Sequence, residues 1–247
     1  MSKYCYKLII EYDGTAFHGW QIQPGRRTVQ QTIIDAIKTF TRETVKLEGS
    51  GRTDAGVHAI GQVGAFCCEH KYDCDDLRYR LNCLLPDDIA IRKISSAKPG
   101  FDPRRMASSR TYRYYICESR QPLNRNICHE VYNRLDIDRL NKAANILMGY
   151  HDYSAFCKRK SLKDDNHCRI AKSIWFRRNG LLTYEVKADR FLHHMVRRLV
   201  GAMLAYGNSK LNLTQLKAFL NNKANVKYSV PAKGLILINV TYRRDRK

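Results

Sequence analysis

The chain has 247 residues, 44% of them hydrophobic, which is enough to fill one large globular core or two smaller ones. No apolar run reaches membrane-spanning length, and the first residues lack the features of a signal peptide, so we expect a cytoplasmic protein without a membrane segment. Lys and Arg number 44 against 23 Asp and Glu, a formal net charge of +21 that favours a polyanionic partner.

Elements of the first half alternate between strands and helices. Aromatic and β-branched residues predict a strand at 4–12. A capping box of Thr28 and Gln31 precedes apolar residues at helical spacing, which predicts a helix at 29–41. Further strands are predicted near 44–48, at 59–67 and at 88–95. Between the last two lies a helix that opens at Asp75 and Asp76 and ends at Pro86. Its inward-facing residues are Leu77, Leu81 and Leu84.

The second half repeats a related order. A strand at 108–117 and a helix at 138–148 come first. The dipeptide Asn179-Gly180 predicts a tight hairpin between strands at 170–178 and 181–188. The last elements are a helix at 192–206 stopped by Gly207, a short helix near 213–221 and a strand at 235–242. The order β-α-β-β-α-β is typical of a split βαβ unit.

Together these patterns predict an α+β fold with a mixed α/β sheet. Two similar split-βαβ halves should pack around a central mixed, largely antiparallel sheet, with a basic cleft between them. No linker or low-complexity stretch separates the halves, so the boundary follows from the elements alone. We expect an N-terminal half at 1–100 and a C-terminal half at 101–247.

The nine cysteines are scattered and include no C-x-x-C pair. An odd number of cysteines in a protein without export signals favours reduced thiols over disulfides or a structural zinc site.

Cationic side chains lie in clusters along the chain and alternate with tyrosines. Cations beside aromatic rings suit phosphates together with unstacked bases, which favours RNA as the partner. The alternative is a generally basic proteome, which raises the charge without a nucleic-acid role. The clusters are Arg104, Arg105, Arg110 and Arg113; Lys158, Arg159 and Lys160; and Arg190, Arg197 and Arg198, with tyrosines at 112, 114, 115 and 153.

The segment 49–59 is the most distinctive local feature. Its three glycines permit backbone conformations closed to other residues, and Arg52 stands two positions before Asp54. A cation and a carboxylate are thereby held near each other. The alternative is an ordinary glycine turn whose aspartate caps the next element. The glycine–lysine pattern of a phosphate-binding loop is absent, which argues against such a loop.

The string GRTDAGVHA at 51–59 resembles the signature of TruA-type tRNA pseudouridine synthases. Further stretches resemble that family in the same order, so that the resemblance spans nearly the whole chain. They are YDGT at 12–15, FHGWQ at 17–21, RTYRY at 110–114, HDYSAF at 151–156, FLHHMVR at 191–197 and PAKGL at 231–235.

The resemblance implies roles for four residues. Asp54 is the essential aspartate, Arg52 helps to displace the target base, Tyr112 stacks on that base, and Arg197 pairs with the aspartate. The reaction breaks the uridine N1–C1′ bond and rejoins the base through C5, so it needs no cofactor and no metal. A carboxylate with a reference pKa of ~3.9 is ionised at neutral pH. Whether it acts as nucleophile or as base stays open.

Other residues in these motifs have simpler interpretations. Arg197 could instead be a solvated helix arginine facing phosphate. Residues expected to be structural are Phe17, Trp20, His58, Tyr114, His193 and His194.

The resemblance also implies the partners: a tRNA modified in its anticodon stem-loop, around positions 38–40, and a homodimer that shares one tRNA. Residues 157–169 are interpreted as a variable loop that contributes to the choice of uridine. A non-catalytic RNA-binding protein with RRM-like halves would need the basic and aromatic residues but not the Asp54 segment. A metal-dependent nuclease using Asp54 and His58 would need clustered carboxylates, which the sequence does not show.

Overall fold

A computed structural model describes residues 4–221 and 224–243. They form two compact units: residues 4–108 with 237–243, and residues 109–236. The strands are β1 (Tyr4–Tyr12), β2 (Glu48–Gly49), β3 (His58–Cys68), β4 (Ile89–Ala97), β5 (Ala107–Cys117), β6 (His129–Glu130), β7 (Gly149–Asp152), β8 (His167–Arg178), β9 (Leu181–Ala188) and β10 (Leu235–Tyr242).

The helices are α1 (Val29–Thr41), α2 (Cys74–Leu84), α3 (Ile137–Ile146), α4 (Met195–Gly207) and α5 (Leu213–Leu220). Single 3-10 turns lie at Pro122–Asn124, Ser154–Phe156, Arg159–Ser161 and Ala232–Gly234. Within the described ranges, no helix combines the length and the apolar character needed to cross a membrane.

The sheet of the first unit has the order β4-β1-β3-β10, and the short strand β2 also pairs with β3. The pairs β1–β4, β1–β3 and β2–β3 are antiparallel. Alternate residues of β1 point to opposite faces, which places Tyr6, Leu8 and Ile10 in the core. Helix α2 packs against β4 and α1.

The sheet of the second unit has the order β5-β9-β8-β7 with antiparallel neighbours, and β6 runs parallel to β5. The predicted Asn179-Gly180 hairpin is confirmed: both residues have positive φ, 52° and 74°, as a type I′ turn requires. Helix α3 packs on β8 and α4, over a core that includes Tyr114, Trp175 and Tyr184.

The α+β class is confirmed, and β1, α1, β9 and β10 have the predicted bounds. The predicted capping box is wrong. Thr28 is the N-cap of α1 but makes no side-chain capping bond, and its buried Oγ1 has no hydrogen-bond partner among the described residues. The amides of Val29 and Gln30 donate instead to the carbonyls of Gly19 and Trp20, so the preceding loop replaces the cap.

Helix α2 differs from its prediction in one position. Leu77 and Leu81 are buried as expected, but Leu84 is 45% exposed at the last turn of the helix. The prediction that Leu84 points inward is therefore wrong.

The division into units differs from the expected halves at 1–100 and 101–247, because the chain end returns to the first unit. A Cβ on Gly61 of β3 would lie 2.3 Å from the carbonyl oxygen of Ile238 in β10. The Ser108 hydroxyl donates to the carbonyl of Thr241 at 2.9 Å. The last strand, β10, thus completes a sheet whose other strands lie far earlier in the chain. Local sequence patterns do not predict this pairing.

Two pairs of cysteines are disulfide-bonded, where the sequence predicted reduced thiols. Cys5 and Cys67 are direct cross-strand partners on β1 and β3. Cys117 and Cys128 close the loop that follows β5. The prediction is wrong for these four because cysteine number and spacing do not show which cysteines the fold brings together. The free cysteines are Cys68, Cys74, Cys83, Cys157 and Cys168.

Candidate functional site

The Asp54 loop, residues 50–57, is fixed to β3 at its start. The Ser50 amide donates to the carbonyl of Val63 at 2.8 Å, and the Ser50 hydroxyl donates to Gln62 Oε1 at 2.7 Å. Gln62 Nε2 donates in turn to the carbonyl of Gly51 at 3.0 Å. Because Gln62 is fully buried, these bonds are shielded from water and hold the loop in one position.

The middle of the loop is anchored through Thr53, which is buried between Arg52 and Asp54 in the sequence. Its hydroxyl lies 2.8 Å from the hydroxyl of Tyr12, and its carbonyl accepts from the Trp20 amide at 3.1 Å. Gly19 has a φ of 88°, and a Cβ there would lie 2.6 Å from the Thr53 carbonyl oxygen. Only glycine allows this close approach of the two backbones.

The loop ends in a tight turn. The Val57 amide donates to the carbonyl of Asp54 at 3.2 Å, and Gly56, with a φ of 76°, donates to the carbonyl of Phe17 at 3.3 Å. A Cβ on Gly14 would lie 2.1 Å from the Val57 carbonyl oxygen. Asp54 is therefore part of a backbone turn clamped by the residues that follow β1.

Arg52 and Asp54 are the accessible side chains on either side of Thr53. Asp54 is half-buried and Arg52 is exposed. Arg52 Nε donates to Gln21 Oε1 at 3.0 Å, so the guanidinium is oriented by a neighbouring loop. The first unit thus presents a carboxylate and a cation from one loop.

His58, at the end of the loop, has a structural position. It is 3% exposed, and its Nδ1 lies 3.0 Å from the Gly14 amide and 3.0 Å from Asp13 Oδ1. One nitrogen cannot accept from Gly14 and donate to Asp13 at once. The Gly14 N–H is fixed in the backbone, so Nδ1 is the acceptor of that bond. The ring then holds the 13–15 segment against the loop.

Arg197 is held at the start of α4 in the second unit. Its Nε donates to the carbonyl of Val230 at 2.8 Å, and the Val230 amide donates back to the carbonyl of Arg197 at 3.3 Å. Burial raises the pKa of Tyr114, and the nearby positive charge of Arg197 opposes that rise. Arg197 is therefore a half-buried, oriented cation rather than a solvated helix arginine.

Tyr112 and Tyr114 share one face of β5, in the second unit. Tyr114 is fully buried and donates to the carbonyl of Pro231 at 2.9 Å, which fits its expected core role. Tyr112 is 9% exposed and meets the ring of Phe191 edge-on, with centroids 5.2 Å apart.

His193 connects α4 to the basic segment, residues 157–166. Its carbonyl accepts from the Lys158 amide at 3.0 Å, and its Nδ1 lies 2.7 Å from the Ser161 hydroxyl. Arg198 Nη1 donates to the carbonyl of Cys157 at 2.6 Å. The basic segment is thus tied to the helix that carries Arg197.

The structure places Arg52 and Asp54 together in the first unit, and Tyr112 and Arg197 in the second. The groups that position them, above all Gln62 and the Val230 carbonyl, were not predicted from the sequence. A weak sequence signal for Gln62 is that it is the lone polar residue in the strand segment GQVGAF. The role of a backbone carbonyl leaves no signal in the sequence.

Comparisons with known proteins agree on one family. The sequence pattern of the family described as tRNA pseudouridine synthase matches residues 8–104 and 143–243. The tRNA pseudouridine synthase A of Bacteroides thetaiotaomicron is 38% identical over 245 residues, 97% of this chain and 91% of the relative. That of Azobacteroides pseudotrichonymphae is 39% identical over 239 residues, 96% of each chain.

Among solved structures, a chain of a Cbf5-Nop10-Gar1 complex aligns with 96% of this chain and 59% of its own length. The TM-score of 0.39 and the identity of 10% are too low to support an argument.

Proposed function

The chain belongs to the tRNA pseudouridine synthase family, and from that premise we propose that it isomerises uridine to pseudouridine in tRNA with Asp54 as its catalytic carboxylate. Membership of this family makes the chain an isomerase. The observation that carries the role of Asp54 is the clamped loop: Thr53, Gly56 and Val57 fix the backbone on both sides of the one carboxylate in the motif. Catalytic groups gain from such fixed geometry because little reorganisation is left for the reaction itself.

The proposed chemistry conserves the composition of the uridine, while the hydrogen on C5 leaves to water as a proton and N1 takes up another. The N1–C1′ bond breaks, the base turns, a C5–C1′ bond forms, C5 loses its hydrogen and N1 gains one. An ionised carboxylate serves either by attacking C1′ as a nucleophile or by accepting a proton as a base. Both roles need Asp54 charged and correctly oriented.

We assign that orientation to Arg197. A guanidinium beside a carboxylate favours the ionised form and fixes its direction. Support comes from the bond between Arg197 Nε and the Val230 carbonyl, which already restricts the guanidinium within its own unit. For Arg197→Ala we expect a loss of kcat with little change in tRNA affinity. A loss of affinity alone would show a phosphate contact instead.

The target base must leave its stack before it reaches a carboxylate, at a cost of a few kcal/mol. We assign displacement of the base to Arg52, which is exposed and oriented by Gln21, and stacking on the displaced base to Tyr112. Tyr112→Phe, which keeps the ring, should retain turnover, whereas Tyr112→Ala should lose it. Equal rates for both variants would refute stacking.

The proposed substrate region is the anticodon stem-loop, around positions 38–40, and the proposed assembly is a homodimer that shares one tRNA. Mapping pseudouridine in the product by carbodiimide modification and primer extension tests the region. Light scattering tests the assembly, and a mass near the 28.7 kDa of one chain would refute it. The cytoplasmic location belongs to the same proposal and is checked by cell fractionation.

Release of tritium from [5-³H]uridine-labelled tRNA tests the proposed reaction. Formation of the C5–C1′ bond expels the hydrogen at C5, so the purified protein should release tritium in proportion to the pseudouridine formed. A protein that only binds RNA would hold the tRNA without release.

A further inference from the structure

Three planar side chains form an exposed stack where β7 pairs with β8. Tyr150 is 56% exposed, and its ring stacks on His167 with centroids 5.3 Å apart and an interplanar angle of 23°. The guanidinium carbon of Arg169 lies 5.1 Å from the centroid of the Tyr150 ring. His167 and Arg169 are exposed as well.

Strand register holds this stack in place. Tyr150 is the direct cross-strand partner of Arg169. Cys168 and Ile170 are buried on the opposite face of β8, so His167 and Arg169 must both point outward. Strand β7 is the last strand in the order of the second unit's sheet, so the stack lies at a sheet edge.

The basic segment runs from this stack to the start of α4. Its four cationic side chains, at 158, 159, 160 and 163, are exposed. Its backbone is held at both ends: the Lys158 amide donates to His193, and the carbonyl of Asp165 accepts from Arg190 at 2.7 Å. The segment is therefore preorganised between the helix that bears Arg197 and the stack, and its four exposed cations outnumber its two acids, Asp164 and Asp165, of which Asp165 pairs with His167 and Arg190.

Resting on the proposed function, we infer that the stack of Tyr150, His167 and Arg169 is a docking platform for an unpaired nucleobase of the tRNA, outside the catalytic site. Aromatic rings and guanidinium planes are the groups on which proteins stack unpaired bases. The neighbouring lysines and arginine supply contacts to the phosphates on either side of that base. A cross-strand stack that only stabilises the sheet edge is the competing outcome.

Kinetics of Tyr150→Ala test this inference. We expect the KM for tRNA to rise about tenfold at unchanged kcat, since stacking acts on binding and not on the reacting bond. Tyr150→Phe should restore the wild-type KM. The matched control is Tyr79→Ala, which removes a tyrosine that is 68% exposed on α2 beside arginines already paired with Asp75 and Asp76. Equal KM values for Tyr150→Ala and Tyr79→Ala would overturn the platform.

A second variant covers the case in which Tyr150→Ala disturbs the sheet edge. Tyr150→Trp keeps a planar ring there, while the native Trp20 and Trp175 are each 1% exposed. We expect tRNA to quench the added indole fluorescence relative to wild type, and heparin, a polyanion without bases, to leave it unchanged. Absence of quenching by tRNA would refute the platform.

The two proposals fail separately. The quench reports binding and does not depend on turnover, so it tests the platform even if no tritium is released. Tritium release with normal KM in Tyr150→Ala would refute the platform and leave the catalytic proposal standing.

Discussion

Arg52 and Asp54 lie in one loop, yet their environments predict different contributions to the proposed reaction. Arg52 is exposed and its Nε donates to Gln21, so its removal should leave the loop intact. We expect Arg52→Ala to slow tritium release under single-turnover conditions more than it weakens tRNA binding, since the guanidinium acts on the displaced base. Arg26→Ala, which removes an equal charge from an exposed loop position, is the control. Equal losses of rate and affinity in Arg52→Ala would contradict its specific role.

We expect the ionisation of Glu185 to make the stability of the second unit depend on pH. Its side chain is 10% exposed and accepts from Lys172 Nζ and Arg113 Nε, both at 2.7 Å. Burial raises its pKa, but these hydrogen bonds and charges outweigh burial and hold the pKa below the ordinary 4.5. A lowered folded-state pKa stabilises the protein above the unfolded pKa and loses that contribution as pH falls through the folded value.

Glu185→Gln should therefore lower stability by about 2 kcal/mol at neutral pH and flatten the stability profile below about pH 5. The measurement is urea unfolding across that pH range. Glu48→Gln is the control, because Glu48 forms an exposed pair with Lys46, and such pairs contribute little. An unchanged pH profile in Glu185→Gln would show that the ion cluster does not couple folding to pH.

At the residue scale, the sequence offers candidates for the chemistry but not the residues that support them. Asp54 and Arg52 stand inside a long motif, so one sequence suffices to propose them. Gln62 and the Val230 carbonyl could not be predicted, because a hydrogen-bond partner depends on which distant segments the fold brings together. The bond between His193 and Ser161 could not be predicted for the same reason.

At the scale of elements, strong periodicity and clear stop signals were sufficient to predict the bounds of several elements. Strands β1 and β10 and helix α1 have the predicted bounds. Strands β6 and β7, of two and four residues, are too short to show a period. Helix α4 begins at Met195 rather than at the predicted 192, because His194 takes a left-handed φ of 65°.

The contact between Gly19 and the Asp54 loop yields a prediction at this scale. Gly19 and Gly25 both have positive φ, but only Gly19 has a neighbour, the Thr53 carbonyl, within reach of an added Cβ. Gly25→Ala should cost about 1–2 kcal/mol through backbone strain alone. Gly19→Ala should cost more and also reduce kcat, because Thr53 must move and carry Asp54 with it. Denaturant unfolding and tritium release measure both effects, and equal kcat values for the two variants would contradict this coupling.

At the scale of the whole molecule, the net charge of +21 predicts salt-dependent tRNA binding. Each lysine that contacts a phosphate should contribute about one unit to the slope of log affinity against log salt. We expect the double variant Lys158→Gln, Lys160→Gln to reduce that slope by about two. The double variant Lys38→Gln, Lys71→Gln, which removes equal charge from exposed positions elsewhere, should change it little. Equal slopes for the two double variants would exclude the basic segment as a phosphate-binding surface.

The global organisation was predicted only in part. Two βαβ-like patterns in the sequence correctly indicated an α+β protein, whereas the observed units differ from the predicted halves. The return of Leu237 and its neighbours to the first unit, and the pairing of Cys5 with Cys67, depend on strand register between segments far apart in the chain. Local patterns specify which residues form strands but not which strands pair.

Comparison of wild type with Asp54→Asn tests the catalytic proposal most directly. The substitution keeps the size and shape of the side chain and removes its charge, so the clamped loop should stay folded. With tRNA bound in stoichiometric amounts, we expect wild type to release tritium from [5-³H]uridine tRNA and Asp54→Asn to release none, at unchanged tRNA affinity. Tritium release by Asp54→Asn at the wild-type rate would contradict a catalytic role for this carboxylate.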